Sequence, residues 1–481
     1  MPGFKSRALV ALGLVLGASA CQSSEVYRTQ VAVIDPAAPQ HITLGEGGYR
    51  LPAMRNPKAS PELLMLLAFS GGGKRSSAFS YGVLRGLRDM PIRTVAGQHR
   101  MLDEIEGISS VSGGSFTAAY YGLHRDQIFF DYEKDFLKQD INAYVWGMYL
   151  LPWHWGWMLS ASYGTNDRMQ DIYDNLMFHG STYADLEKNG APIVWIGATD
   201  ISYGHVFTFN PENFDLLCSD LGRFPIARAV AASNGFPVLF SPITLDDHAE
   251  RCGGWRPRWM DREAQASEDA QIRHGLLVQQ AEAYLDPART RFVHLSDGGI
   301  TDNLALRGLL NQMIRFEDDP QFARSRFFEK LRRLLIISVD GQSAQDVSLA
   351  MSPSIGGFRR IISAISGTQI DNYNFETLSV MRAKLNGSVE GIKRLRCSMG
   401  RIVEGHACDD VKGYLVHLSL ADIKDEATRT RLQSIPTGLT ISDADVDALV
   451  AAGEAVVKAS PEVAEVVKAI EQAGAIPVAV R

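Results

Sequence analysis

The periodic part of the chain begins at Leu63. The run LLMLLAFS is continuously apolar, with Glu62 before it and three glycines after it. That pattern predicts a strand buried on both faces, as in a parallel sheet. The following AFSYGVLRGLRDM has helical spacing, with Phe79, Val83, Leu84 and Leu87 on one face. Apolar runs return at IVWIGATD (193–200), VLFSPITL (238–245), FVHLS (292–296) and LLIISV (334–339). Amphipathic segments lie between them, notably PIARAVAAS and NLALRGLLNQMI. Strands alternating with helices predict an α/β fold, a three-layer α/β/α sandwich with a mainly parallel central sheet.

Both ends depart from this pattern. MPGFKSR is a short basic start, ALVALGLVLG an apolar core, and ASA a run of small residues ending at Cys21. Residues 1–20 therefore predict a secretory signal peptide, too short for a permanent membrane span. ASA fits cleavage into a free secreted protein. A cysteine at the cut instead fits a lipoprotein whose Cys21 carries the lipid anchor, although Ala18 stands where that pattern prefers Leu. The expectation is an exported protein, anchored at the outer membrane through Cys21 or otherwise secreted. Residues 21–60, rich in Pro, Gly and polar side chains, predict a tether with one strand at VAVID. Residues 61–460 form the expected main domain and 461–481 a helical tail. Ser442 predicts the cap of a helix carrying Val446, Leu449, Val450 and Gly453 on one stripe, and Ser460-Pro461 the start of another.

Composition adds exclusions. The chain has 481 residues, 46% hydrophobic and 21% charged, which suits a core-burying protein. Its formal charge is −7, and loss of Lys5 and Arg7 with the leader makes it −9. An acidic chain with no basic stripe is poorly suited to nucleic acid, where phosphate contacts need clustered Lys and Arg. After Cys21 four cysteines remain, and export makes two disulfides the expectation, most simply Cys218–Cys252 and Cys397–Cys408. Their spacing does not resemble a zinc site.

Three glycine-bearing turns carry candidate chemistry. FSGGGKRSS joins the first strand to the first helix. It fails as a phosphate-binding loop, since Ala68 stands six residues before Lys74 and Arg75 follows it. Three glycines at a helix N-terminus still offer unpaired N–H groups to negative charge. GISSVSGGS (107–115) is a second strand-to-helix turn. Ser112 has a small residue two before it and glycine two after, the frame of a nucleophile elbow, whereas Ser115 meets Thr117 where glycine is needed. The third turn is DGG, where Asp297 ends the strand FVHLS. None of the eleven histidines sits in a triad-like setting, and His294 is expected on a strand face.

SGGGKR, SVSGG and DGG, in that order, resemble the patatin-like phospholipase family, and the chain reads as a bacterial, exported member of it. AVAASNGFPVLFSP (229–242) and SIPTGLTISDADVDALVAAG (434–453) add to the resemblance, which covers roughly residues 63–457. It implies a Ser–Asp dyad without histidine, with Ser112 the nucleophile and Asp297 its base. It implies an oxyanion hole from Gly71, Gly72 and Gly73, with Arg75 at the family's basic position. No metal or organic cofactor is required. Ser76 and Ser110 stand where the family usually has glycine.

The implied function is acyl-ester hydrolysis of phospholipids or related lipids. Residues 144–159, YVWGMYLLPWHWGWML, hold four of the seven tryptophans. The stretch reads either as a buried helix and turn or as an aromatic flap meeting a membrane surface. Two other functions share the features: a lipid acyltransferase, and a non-catalytic lipoprotein that binds lipid or a partner.

Overall fold

The computed structural model describes residues 49–50, 56–95, 97–150, 163–190, 192–237, 239–261, 268–317, 327–343, 350–351, 353 and 358–474. The expected leader, Cys21 and the strand expected at VAVID lie outside the described residues.

Leu63–Phe69 forms β1, and every apolar side chain in it but Leu64 is buried. Its neighbours explain that. β1 pairs in parallel with β2 (Ile105–Val111) on one edge and with β7 (Arg333–Asp340) on the other. β2 pairs in parallel with β3 (Ile193–Asp200), and β7 with β8 (Lys412–Ser419). Three further strands run antiparallel. β4 (His205–Phe209) and β6 (Phe292–Ser296) pair with β3, and β5 (Ile243–Asp246) pairs with β6. The sheet order is β8-β7-β1-β2-β3-β6-β5, with β4 also on β3. The run at 238–245 is shorter as a strand than its apolarity predicts: only Ile243–Asp246 pairs, with Pro242 directly before it. Proline has no N–H for the ladder.

Helices cover the sheet, giving a three-layer α/β/α sandwich. α1 (Gly73–Arg88) follows β1 and buries Phe79, Val83, Leu84 and Leu87. α2 (Gly113–His124) follows β2, and α3 (Ile141–Leu150) lies beyond it. α4 (Thr165–Tyr173) packs against α5 (Ile226–Ser233), the helix expected at PIARAVAAS. α6 (Glu268–Leu285) precedes β6, and α7 (Leu306–Glu317) follows it. α8 (Phe358–Met399) is a 42-residue helix that the sequence reading did not identify. It buries Met381, Leu385, Val389 and Ile392 along one stripe.

α9 (Asp443–Ala459) is capped by Ser442, whose hydroxyl accepts from Asp445 N–H at 3.2 Å. It crosses α1 closely: a Cβ on Gly82 would lie 2.2 Å from Val450 O, and one on Gly453 2.4 Å from Phe79 O. Only glycine lets the two backbones approach this far. α10 (Pro461–Gly474) buries Val463, Val466 and Ile470 in the same core. Both expected disulfides are present. Cys218–Cys252 spans 34 residues, and Cys397–Cys408 joins the end of α8 to a two-stranded hairpin (Ile402–Val403 and His406–Ala407).

Candidate active site

Ser112 sits between β2 and α2 with φ 49° and ψ −122°. A non-glycine residue there is strained, and the strain turns its side chain out of both the strand and the helix. Its neighbours must be small. A Cβ on Gly113 would lie 2.0 Å from Gly73 O, and one on Gly114 2.6 Å from Phe69 O. The four serines of GISSVSGGS have different partners. Ser109 Oγ donates to Ala305 O at 2.6 Å and Ser110 Oγ to Trp195 O at 3.2 Å. Ser115 Oγ pairs with Ser233 Oγ at 2.9 Å. Ser112 Oγ donates to Asp297 Oδ2 at 3.0 Å.

The sheet brings these two residues together by an antiparallel strand, not by two parallel ones. The β2–β3 register ends at Val111 and Gly197, and β6 pairs with β3 from Thr199, opposite Ser296. Because β6 runs backwards, the residue after Ser296 returns to the level of the residue after Val111. Asp297 N–H donates to Gly235 O at 3.0 Å, and Asp297 Oδ1 accepts from Gly299 N–H at 2.8 Å. Burial pushes the Asp297 carboxyl up to about 6, against the lowering effects of the Gly299 and Ser112 hydrogen bonds. His294 lies on the strand face as expected, 3.0 Å from Thr244 Oγ1.

The glycine triplet lies beside the serine, since a Cβ on Gly71 would come 3.4 Å from Ser112 Cβ. Its members are not equivalent. Gly71 N–H donates to Asn303 O at 2.9 Å and so is occupied. Gly72 and Gly73 have φ of 134° and 59°, and among the described residues no protein oxygen accepts from their N–H groups. Gly113 N–H, the first of α2, is likewise unclaimed among the described residues.

Arg75, expected with the oxyanion group, has each of its three guanidinium nitrogens bonded to a distant loop. Its Nε donates to Gly341 O at 2.7 Å, Nη1 to Ile435 O and Nη2 to Thr437 Oγ1 at 3.2 Å. Lys74 N–H donates to Gly438 O at 2.9 Å. The basic position therefore braces the motif against the loops before α9 and after β7. Burial lowers Arg75 to about 10 and Lys74 to about 8. Ser76, at a usual glycine position, donates to Ser70 O at 2.7 Å, so its hydroxyl is accommodated.

Sequence reasoning attached no chemistry to Ser233, Asn234 and Gly235, yet all three touch the pair. Ser233 Oγ accepts from Ser112 N–H at 2.8 Å and donates to Gly197 O at 2.5 Å. Asn234 Oδ1 lies 3.2 Å from Ser112 Oγ. The available signal was the polar triplet SNG closing the apolar helix AVAA. The loop at 435–438 carries only the family resemblance in the sequence.

The patatin-like phospholipase profile matches residues 67–310, just over half of the chain. Three structures of human GIVD cytosolic phospholipase A2 are similar at 12–14% identity, with TM-scores of 0.36–0.39. Two of them are complexes with methyl γ-linolenyl fluorophosphonate. The alignments cover 86% of this chain and 59–60% of those chains, so this chain spans about three fifths of their length. No curated relative matches. The chain belongs to the patatin-like phospholipase family.

Proposed function

We propose that this protein hydrolyses acyl esters of phospholipids or related lipids with Ser112 as nucleophile and Asp297 as base. The observation that carries the reading is the 3.0 Å contact from the strained serine hydroxyl to a buried carboxylate. Asp297 takes the serine proton while Oγ attacks the ester carbonyl, then gives it to the departing alcohol. The N–H groups of Gly72, Gly73 and Gly113, which no protein oxygen takes among the described residues, serve as donors to the developing oxyanion. Loss of one such donor typically lowers the rate by about a hundred- to a thousandfold. Water then attacks the acyl-enzyme, again giving its proton to Asp297. The test is incubation with phospholipid carrying labelled acyl chains. Free fatty acid supports hydrolysis, label on an added alcohol or lysolipid supports acyl transfer, and no turnover with intact binding supports a lipid-binding role.

The reading extends to a membrane setting. Trp146 and Leu150 on α3 are 63% and 69% exposed, and Tyr144 is exposed with them. Residues 151–162, with the remaining tryptophans of the stretch, lie outside the described residues. Among the described residues no helix is long and apolar enough to cross a membrane. The aromatic end of α3 is suited to the interfacial region of a bilayer, and the two disulfides suit an exported protein. Anchoring through Cys21 is tested by radiolabelled palmitate, which should enter the wild type and not Cys21→Ala.

A further inference from the structure

Asn234 closes α5 and points its amide at the nucleophile. Oδ1 lies 3.2 Å from Ser112 Oγ, and Nδ2 lies 3.1 Å from the Tyr173 hydroxyl at the end of α4. Asn234 is 6% exposed and Tyr173 1%. With Asp297 Oδ2 3.0 Å from Ser112 Oγ, four polar groups stand in a row: phenol, amide, serine hydroxyl and carboxylate.

Counting protons decides how the row is polarised. Each hydroxyl has one proton to donate, and an amide has donors on one side and an acceptor on the other. With Oδ1 toward Ser112, the serine proton faces two acceptors, Asn234 and Asp297. Tyr173 then accepts from Nδ2, and among the described residues its own O–H meets no acceptor. A half-turn of the amide exchanges oxygen and nitrogen without changing its shape. Tyr173 O–H then donates to Oδ1, Nδ2–H donates to Ser112 Oγ, and the serine proton has Asp297 as its one acceptor. Every hydroxyl in the row is satisfied, and the bonds run in one direction.

Resting on the hydrolase reading above, we propose that Asn234 is a third catalytic residue that donates its amide N–H to Ser112 Oγ, and that Tyr173 is the positioning residue that sets the amide. Negative charge grows on Oγ as its proton passes to Asp297 and the bond to the acyl carbon forms, and an N–H aimed at that atom stabilises it. In deacylation the C–Oγ bond breaks, Oγ leaves with the electron pair, and Asp297 returns the proton it took from water. The same N–H assists that departure. The Asp297 hydrogen bond and the amide hydrogen bond therefore act on opposite sides of one oxygen.

The two amide orientations have opposite consequences. An accepting Asn234 would compete with Asp297 for the serine proton, so its removal would leave the rate unchanged or raise it. A donating Asn234 supports Oγ, so its removal slows the reaction. The test compares wild type, Asn234→Ala and Tyr173→Phe for hydrolysis of p-nitrophenyl butyrate and for the second-order rate of labelling by a fluorophosphonate. Asn234→Ala should lower kcat and the labelling rate by about tenfold or more, with KM within about twofold. Tyr173→Phe should lower both about three- to tenfold, with no fall in melting temperature. Wild-type rates in both variants, or losses confined to KM and melting temperature, would overturn the proposal. If Asn234→Ala fails to fold, Tyr173→Phe decides alone. A wild type that neither labels at Ser112 nor turns over substrate defeats the hydrolase reading itself, and the proposal with it.

Discussion

The Ser233 hydroxyl accepts the backbone N–H of Ser112 at 2.8 Å and donates to Gly197 O at 2.5 Å. One side chain thus ties the strained residue to the neighbouring strand. Ser233→Ala leaves a buried N–H without its acceptor, at a cost of about 1–3 kcal/mol. The variant should melt earlier and lose activity in proportion to the loosening of the turn. Calorimetry and ester kinetics on the same preparation check this.

The serines of the turn should separate cleanly on substitution. Ser112→Ala should abolish ester hydrolysis and fluorophosphonate labelling while remaining folded, because removing a reactive group from a strained site seldom destabilises. Ser109→Ala and Ser115→Ala should keep most activity, since their hydroxyls bond to Ala305 O and Ser233 Oγ. Labelling that persists in Ser112→Ala would place the nucleophile elsewhere.

Asp297 should set the acid limb of activity. Its carboxyl is pushed up to about 6 by burial, so the base is protonated below that pH. kcat/KM should rise about tenfold from pH 5 to its plateau above pH 6 to 7. The stability effect has the opposite sign. The raised value means that the folded state favours the neutral acid, an advantage present below about pH 4 and lost as pH rises through 6. Asp297→Asn should therefore be nearly inactive yet more stable at pH 8, by up to roughly 3 kcal/mol. Denaturant melts at pH 4 and pH 8 give the comparison, and equal gains at both would contradict it.

The disulfides should contribute unequally. On loop-closure entropy, Cys218–Cys252 with its 34-residue span is worth about 4 kcal/mol and Cys397–Cys408 with 11 residues about 3 kcal/mol. Thiol titration under denaturing conditions should find these four cysteines blocked before reduction and free after it. Reduction should lower the melting temperature.

Exposed apolar side chains on α3 should matter for membranes and not for chemistry. Trp146→Ala with Leu150→Ala should weaken binding to phospholipid vesicles severalfold while leaving hydrolysis of a soluble short-chain ester unchanged. Vesicle sedimentation beside a p-nitrophenyl ester assay distinguishes the two effects, and unchanged sedimentation would remove α3 from the interface.

What the sequence determined by itself depends on residues close together in the chain. LLMLLAFS declares a strand buried on both faces, SVSGG a tight turn with one serine at its apex, and Ser442 a cap, because each feature is written within a few residues. The pairing of Ser112 with Asp297 was legible only as a resemblance, since 185 residues separate them and no local rule links the two. The tertiary structure decided the rest. The antiparallel entry of β6 carries Asp297 back to Ser112, and strand direction depends on how the connecting chain returns to the sheet, which no short stretch specifies. Asn303 O takes the N–H of Gly71, and three loop oxygens take the guanidinium of Arg75. Glycine composition cannot say which N–H groups stay free, because a donor's availability depends on acceptors delivered from distant parts of the chain.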